Sequence, residues 1–147
     1  MTISPISDWH KIVESKDPKG LDSILDSKCI FYSPIVFAPQ KGKSLTKMYL
    51  TAAMKVFKAA GNFHYIKEVE QGNNAVLEFN STIDGITIDG IDMITWNDQG
   101  RITEFKVMLR PFRAIEKMGE KMKAELESQS TFQKMKVSAG SIIDKLS

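Results

Sequence analysis

The chain has 147 residues, of which 42% are hydrophobic and 26% are charged, so it is long enough to bury a sizeable core as one domain. A formal net charge of +2 indicates neither a nucleic-acid partner nor an anionic membrane, and no run approaches the ~18 apolar residues of a membrane-spanning helix. The first residues also lack the basic and apolar regions of a targeting segment. We therefore expect a cytoplasmic protein that binds no nucleic acid and no membrane.

Metal, cofactor and disulfide chemistry are not indicated by the residue pattern. The single Cys29 cannot form an internal disulfide and is expected to be a small core residue. His10 and His64 do not stand beside acids at the spacing of metal ligands, so we expect solvated or structural roles for both. No phosphate-binding glycine pattern and no nucleophile elbow is present. We expect no metal site and no cofactor.

Five elements are predicted before residue 71. Helical spacing of apolar residues, capping residues and the stops at Pro34 and Gly61 define them. They are a helix from Ser7 to Ser15, a short helix from Pro18, a strand from Cys29 to Ser33, a helix from Ser44 to Ala60 that follows a loop, and a strand from Phe63 to Glu70.

Three consecutive antiparallel strands are predicted from Ala75 to Pro111. Asp84-Gly85 suits a two-residue turn with positive φ angles, and such a turn fixes the pairing, so Leu77 faces Asp92. If residues 97–100 form a four-residue loop, Asp92 pairs with Phe105 on the third strand. Side chains alternate along a strand and cross-strand partners share a face, so one face of this sheet is mostly apolar and the other is mixed.

Asp92 is the carboxylate that this pairing puts on the apolar face, between Leu77 and Phe105. Burial there disfavours the charged form, so we expect the pKa of Asp92 to be raised. A carboxyl of this kind is a candidate acid, base or hydrogen-bond donor to a ligand. The alternatives are an aspartate satisfied by a neighbouring indole, hydroxyl or backbone amide, or a pairing that is shifted by one residue.

The segment from Phe112 to Leu126 is predicted to be an amphipathic helix, because Ile115, Met118 and Met122 recur at helical spacing. Its methionines are more typical of a core or a dimer contact than of a ligand site. We predict a single domain over residues 1–126. Residues 127–147 are predicted to be a polar C-terminal extension, in which the apolar residues Ile142, Ile143 and Leu146 form a last turn.

The order of these elements is α+β, and it resembles the cone-shaped fold shared by nuclear transport factor two, the ketosteroid isomerases, scytalone dehydratase and the SnoaL-type polyketide cyclases. Three pieces between Trp9 and Arg110 carry the resemblance: the helix, helix and strand from Trp9 to Pro34, Gly42 before the third helix, and Ile91-Asp92-Met93 followed by Asp98-Gln99-Gly100-Arg101-Ile102. The resemblance implies N-terminal helices packed on a strongly bent mixed or antiparallel sheet that encloses a pocket, plus a C-terminal amphipathic helix.

The resemblance to ketosteroid isomerase also implies roles for three positions. Those enzymes combine an aspartate base with an oxyanion hole made of a tyrosine and a protonated aspartate. The oxyanion aspartate corresponds to Asp92. The tyrosine corresponds to Trp9, which can donate one hydrogen bond but cannot ionise, and the base corresponds to Ser33, which cannot take a proton from carbon unaided. These two departures speak against steroid isomerisation by that mechanism.

We therefore expect a small, largely apolar molecule to bind in an enclosed pocket, where Asp92 orients a carbonyl or hydroxyl and can act in an isomerisation, cyclisation or dehydration. The alternative is a non-catalytic dimerisation or protein-interaction module of the same fold, with Asp92 hydrogen-bonded by Trp9. The predicted pocket residues are Trp9, Phe31, Ser33, Leu77, Phe79, Phe105, Val107 and Leu109.

The mixed outer face of the sheet is too apolar for a fully solvated surface. Val76, Ile91, Met93 and Met108 lie there among charged residues. We expect an isologous homodimer through this face, as the resemblance also implies.

Overall fold

The computed structural model describes residues 3–129 of the chain, so the predictions made for residues 130–147 lie outside the described residues. Helices precede and follow a run of strands, with one 3-10 turn at Pro18–Gly20. The helices are α1 (Ile6–Ser15), α2 (Leu21–Ile24), α3 (Lys43–Ala60) and α4 (Phe112–Ser128). The strands are β1 (Leu25–Tyr32), β2 (Gln40–Lys41), β3 (His64–Gln71), β4 (Asn74–Ile83), β5 (Ile86–Trp96) and β6 (Ile102–Arg110).

The six strands form one curved, mixed sheet in the order β2-β1-β6-β5-β4-β3. β1 runs parallel to β6, and the other neighbours are antiparallel. The α+β architecture with helices on a bent sheet is therefore confirmed. The short strand β2 was missed within the predicted loop before α3, where it pairs with Ile30 and Phe31. A two-residue strand is too short to show the alternation by which strands are recognised.

The predicted register of β4 and β5 is confirmed at every pair, including Leu77 with Asp92. The turn residues Asp84 and Gly85 both have positive φ angles, 51° and 77°. Aspartate and glycine adopt that region more readily than other residues, which is why this turn could be recognised from the sequence. Two lysines of α4, Lys117 and Lys121, also lie 3.3 and 3.1 Å from the Asp84 carboxylate.

The predicted register of β5 and β6 is wrong by two residues. Asp92 pairs with Val107 instead of Phe105, and Phe105 pairs with Ile94. One residue of the difference comes from the loop, because Trp96 pairs with Ile102 and leaves five residues between them. The other comes from a bulge next to Trp96. Because side chains alternate with a period of two, the shift leaves Asp92 on the same face as Phe105.

The core lies between the inner face of the sheet and the helices. α3 packs against β1, and α4 packs against both α3 and β5. Met118, Met122 and Leu126 of α4 are buried in this core, and the two methionines also border the cavity described below. α4 continues two residues beyond the predicted domain boundary at Leu126. In residues 3–129, no helix is both long enough and apolar enough to span a membrane.

Candidate functional site

A cavity of about 460 Å³ opens between the inner face of the sheet and the helices α1, α3 and α4. Its wall is mainly aromatic and aliphatic, and it includes eight of the nine residues singled out from the sequence. These eight are Trp9, Phe31, Ser33, Phe79, Asp92, Phe105, Val107 and Leu109.

Leu77 is the predicted pocket residue that does not reach the cavity. It shares the inner face with Asp92, as predicted, but its side chain is completely buried in the core. Alternation along a strand identifies the face on which a side chain lies, whereas the position of the cavity depends on how the helices cover that face. Leu77 is therefore a core residue and not part of the cavity wall.

Asp92 belongs to a chain of three hydrogen-bonded side chains. The hydroxyl of Tyr65 donates to Asp92 Oδ2 at 2.5 Å, and the indole Nε1 of Trp9 donates to the Tyr65 hydroxyl oxygen at 2.9 Å. Among the described residues, Oδ1 of Asp92 has no hydrogen-bond partner. Asp92 thus presents one satisfied and one unsatisfied oxygen at a cavity wall. The predicted direct contact between Trp9 and Asp92 is wrong, because Tyr65 lies between them.

Burial determines how Asp92 titrates. Only 6% of the residue is exposed, and desolvation raises the pKa of Asp92 to about 7, although the hydrogen bond from Tyr65 acts in the opposite direction. Burial and the neighbouring negative charge of Asp92 raise the pKa of Tyr65 well above its usual value. Near neutral pH, Asp92 therefore exists in both protonation states while Tyr65 remains a hydrogen-bond donor.

Ser33 lies at the end of β1, where its hydroxyl oxygen accepts hydrogen bonds from the backbone N–H groups of Ile35 and Val36 at 2.9 and 3.2 Å. Serine commonly stabilises a turn in this way. This role accounts for Ser33 without any chemistry, although its hydroxyl remains on the cavity wall.

Tyr65 is the most important residue that the sequence analysis missed. It pairs with Phe79 across β3 and β4, and its ring packs edge-on against Phe63 at 5.1 Å between centroids. The alternation of Phe63 and Tyr65 in the predicted strand from Phe63 to Glu70 was the available signal, because it puts both rings on one face. The register that brings Tyr65 to Asp92 includes an irregularity between Tyr65 and Lys67, which alternation alone does not reveal.

Tyr49 of α3 is a second polar residue that the sequence analysis missed. Its ring lines the cavity and stacks on Phe31 at 5.0 Å between centroids. Its hydroxyl is buried and has no hydrogen-bond partner within residues 3–129, and burial raises the pKa of Tyr49 to about 12. A buried hydroxyl without a partner is rare and costly in folded proteins.

His10 follows Trp9 on α1 and also lies on the cavity wall. Its Nε2 lies 2.9 Å from Glu68 Oε1 on β3, and its ring packs edge-on against Tyr65 at 5.3 Å between centroids. The expectation of a purely solvated or structural histidine did not anticipate a carboxylate partner from a distant strand. Within residues 3–129, no group of three or more His, Cys, Asp or Glu side chains is arranged to hold a metal ion.

Comparison with known proteins gives matches among solved structures. The structure resembles a steroid delta-isomerase from Pseudomonas aeruginosa with a TM-score of 0.79 and 33% identity, over 84% of this chain and 89% of that one. It resembles an uncharacterised protein with a cystatin-like fold from Silicibacter pomeroyi with a TM-score of 0.80 and 24% identity, over 88% and 89% of the two chains.

A third structure is an epoxide hydrolase/cyclase-like enzyme of pyran ring formation in salinomycin, with a TM-score of 0.57 and 10% identity over 71% of this chain and 87% of that one. No family model matches the sequence, and no curated protein matches it. The identity and coverage shared with the steroid delta-isomerase, together with the common fold, show the family. The chain belongs to the nuclear transport factor two-like superfamily.

Proposed function

We propose that the cavity binds a small, largely apolar molecule that carries a carbonyl or hydroxyl, and that Asp92 hydrogen-bonds this oxygen during isomerase, cyclase or dehydratase chemistry. The observation that carries the proposal is the carboxyl of Asp92 on an apolar cavity wall, with Tyr65 on one oxygen and no partner on the other among the described residues. Identity of 33% with a steroid delta-isomerase supports chemistry of the isomerase type.

Protonated Asp92 can donate a hydrogen bond to a ligand carbonyl. If charge develops on that oxygen as an enolate forms, the hydrogen bond strengthens, and an interaction that is stronger in the transition state accelerates the reaction. Burial raises the pKa of Asp92 to about 7, so the carboxyl can hold the proton that this hydrogen bond requires near neutral pH. The wall around Asp92 is largely aromatic and aliphatic, and a hydrogen bond is stronger in such a low-dielectric environment than in water.

A binding experiment with 2-tetralone, a bicyclic apolar ketone, tests the proposal. Trp9 lines the cavity, so its fluorescence should report binding. Asp92→Leu should weaken binding about 10-fold, because the variant keeps an apolar wall but loses one hydrogen bond. Asp89→Asn is the matched control, since Asp89 pairs with Arg110 at 3.0 Å and lies outside the cavity. Equal affinity in wild type and Asp92→Leu would remove the proposed role of Asp92.

The alternative of a non-catalytic interaction module predicts a filled or collapsed pocket. The cavity of about 460 Å³ supports ligand binding instead. A volume of this size is typical of small-molecule sites.

The proposal includes a homodimer through the outer face of the sheet. Val69 and Met108 support it, because 58% and 47% of these apolar residues are exposed beside half-buried Val76, Ile91 and Met93. Light scattering at micromolar concentration should give twice the chain mass of 16.5 kDa. Met108→Glu should lower this mass, whereas Phe37→Glu, at an exposed loop residue, should not. A monomeric mass for the wild-type protein would contradict the proposed homodimer.

A further inference from the structure

Proton transfer at carbon requires a proton acceptor, and Asp92 and Ser33 do not together supply one. Asp92 is occupied as the group that binds the ligand oxygen, and one of its oxygens already accepts from Tyr65. Ser33 stabilises a turn through two backbone N–H groups, and an unassisted hydroxyl is too weak a base. If the proposed function is right, the acceptor has to be another residue of the cavity wall.

His10 has the features that this role requires. A carboxylate can only accept hydrogen bonds, so the contact of 2.9 Å between Glu68 Oε1 and His10 Nε2 holds the hydrogen of a neutral imidazole on Nε2. The lone pair is then on Nδ1, which has no hydrogen-bond partner among the described residues. A carboxylate that fixes the orientation and tautomer of a histidine is a recurrent arrangement in acid–base sites.

The position of His10 relative to Asp92 also suits the role. Both residues lie on the wall of the same cavity, and both contact Tyr65: Asp92 through a hydrogen bond of 2.5 Å and His10 through an edge-on ring contact at 5.3 Å. The carboxyl of Asp92 and the imidazole of His10 therefore both contact the same tyrosine. A ligand whose oxygen binds at Asp92 would have its neighbouring carbons beside this tyrosine.

We propose that His10 is the general base of the site, that Glu68 is its positioning residue, and that the substrate is a ketone with an acidic hydrogen beside the carbonyl. Nδ1 of His10 takes the proton from the α-carbon. The electron pair of the broken C–H bond forms the carbon–carbon double bond of an enolate, and the carbonyl oxygen, hydrogen-bonded by Asp92, receives the negative charge. The imidazolium then returns the proton to the same carbon or to a conjugated one.

The other ionisable residues on the cavity wall fit the role less well. Glu14 lies one helical turn from His10 on α1, but it is exposed, and no carboxylate or histidine of residues 3–129 orients it. His64 lies on β3, and its Nδ1 contacts the backbone oxygen of Asn62 at 3.1 Å instead of an acid. Lys16 and Lys58 carry charged amines on exposed or partly exposed chain segments. His10 combines a cavity position with an orienting carboxylate.

Hydrogen exchange of a bound ketone tests this inference directly. The α-hydrogens of 2-tetralone are replaced by deuterium in D₂O, and proton NMR follows their loss with and without protein. Wild type should accelerate the exchange, and His10→Gln should lower the protein-dependent rate by about 100-fold or more. Glu68→Gln should lower the rate at saturating ketone by at least about 10-fold without changing the half-saturation concentration, because it affects the imidazole and not the binding of the ketone.

Glu70→Gln is the control for Glu68→Gln. It lies two residues away on the same strand, and its carboxylate accepts from Ser4 instead of contacting His10. Glu70→Gln should therefore keep the wild-type exchange rate. Loss of exchange in Glu14→Gln but not in His10→Gln would overturn the assignment.

This inference rests on the proposed function, and parallel binding measurements separate their failures. If 2-tetralone binds to wild type and His10→Gln equally and both exchange its hydrogens at the same rate, His10 is not the base while ligand binding stands. If wild type binds the ketone without accelerating exchange, the assignment of His10 as the base is likewise overturned. If wild type does not bind the ketone, the proposed function and this inference both fail.

Discussion

Tyr65 of β3 donates its hydroxyl to Asp92 of β5 across the intervening strand β4, at 2.5 Å. The two side chains share the inner face, and Gly90 lies two residues before Asp92 on the same face. A bent sheet can bring side chains of non-adjacent strands into contact on its concave side. The carboxyl of Asp92 is thereby held at the cavity wall by a group that does not belong to a neighbouring strand.

Removal of the Tyr65 hydroxyl should raise the pKa of Asp92. The hydrogen bond from Tyr65 stabilises the charged carboxylate, so its loss in Tyr65→Phe leaves the raising effect of burial unopposed. We expect carbon-detected NMR to show a midpoint near 7 for Asp92 in wild type and a higher one in Tyr65→Phe. A midpoint near 4 in wild type would mean that the carboxyl is solvated.

Asp92 should also make the stability of the protein depend on pH. Its pKa is raised on folding, from 3.8 to about 7, so its stabilising contribution is complete below pH 4 and is lost as the pH rises through 7. This loss amounts to roughly 4 kcal/mol in free energy of unfolding. Asp92→Asn removes the titrating carboxyl and with it this pH-dependent loss. The variant should therefore gain stability relative to wild type between pH 4 and pH 8, as measured by urea unfolding.

Asp89 is the control for the sign of this effect. Arg110 beside it holds the pKa of Asp89 below its usual range, so its contribution is present at neutral pH and is lost on acidification. Asp89→Asn should therefore not become more stable than wild type as the pH rises. If Asp92→Asn and Asp89→Asn were both more stable than wild type at pH 8, the cause would be a general effect of removing negative charge.

Gly90 is the position of the inner face where a side chain should be least tolerated. A Cβ atom there would clash with the ring of Phe79 and lie 2.7 Å from Leu109 Cδ2, and both of these residues line the cavity. Overpacking of this kind typically costs about 1–3 kcal/mol. Gly90→Ala should lower the free energy of unfolding by that amount and should reduce the affinity for 2-tetralone. Unchanged stability would mean that Phe79 rotates away without cost.

Tyr49→Phe should have the opposite effect on stability. The Tyr49 hydroxyl is buried without a partner in the described part of the chain, and an unsatisfied polar group costs about 1–3 kcal/mol. Phenylalanine keeps the ring that stacks on Phe31, so the variant should be at least as stable as wild type in urea unfolding. Tyr65→Phe, which removes the hydrogen bonds of the Tyr65 hydroxyl with Trp9 and Asp92, is the comparison variant in the same urea unfolding. A marked loss of stability in Tyr49→Phe would reveal a partner for the hydroxyl.

The parts of the fold that depend on local rules could be predicted from the sequence. Asp84-Gly85 determines the turn between β4 and β5, and that turn determines which residue faces Asp92. The pairing of β5 with β6 could not be predicted in the same way, because no single residue pair marks its loop length or its bulge. The error of two residues preserved the face, so Phe105, Val107 and Leu109 lie on the cavity wall as predicted although each faces a different residue of β5.

The site was predicted less completely than the fold for a physical reason. Strand alternation identifies the inner face, but the hydrogen bonds of the site join distant residues. Trp9 and Tyr65 are 56 positions apart, and Tyr65 and Asp92 are 27 positions apart. The contact between His10 and Glu68 spans 58 positions. Such contacts depend on how α1 lies over β3, and no periodicity in the sequence describes that arrangement.

The hairpin of β5 and β6 constrains how the length of this chain can vary among relatives. The bulge next to Trp96 leaves Thr103 of β6 as the extra residue. This bulge and the five-residue loop each shift the pairing by one residue, and together they keep Phe105, Val107 and Leu109 on the inner face. One inserted or deleted residue would turn Lys106 and Met108 toward the cavity unless the bulge changed as well. Relatives that keep an apolar cavity should therefore differ in this region by two residues at a time, or by one residue together with a gained or lost bulge.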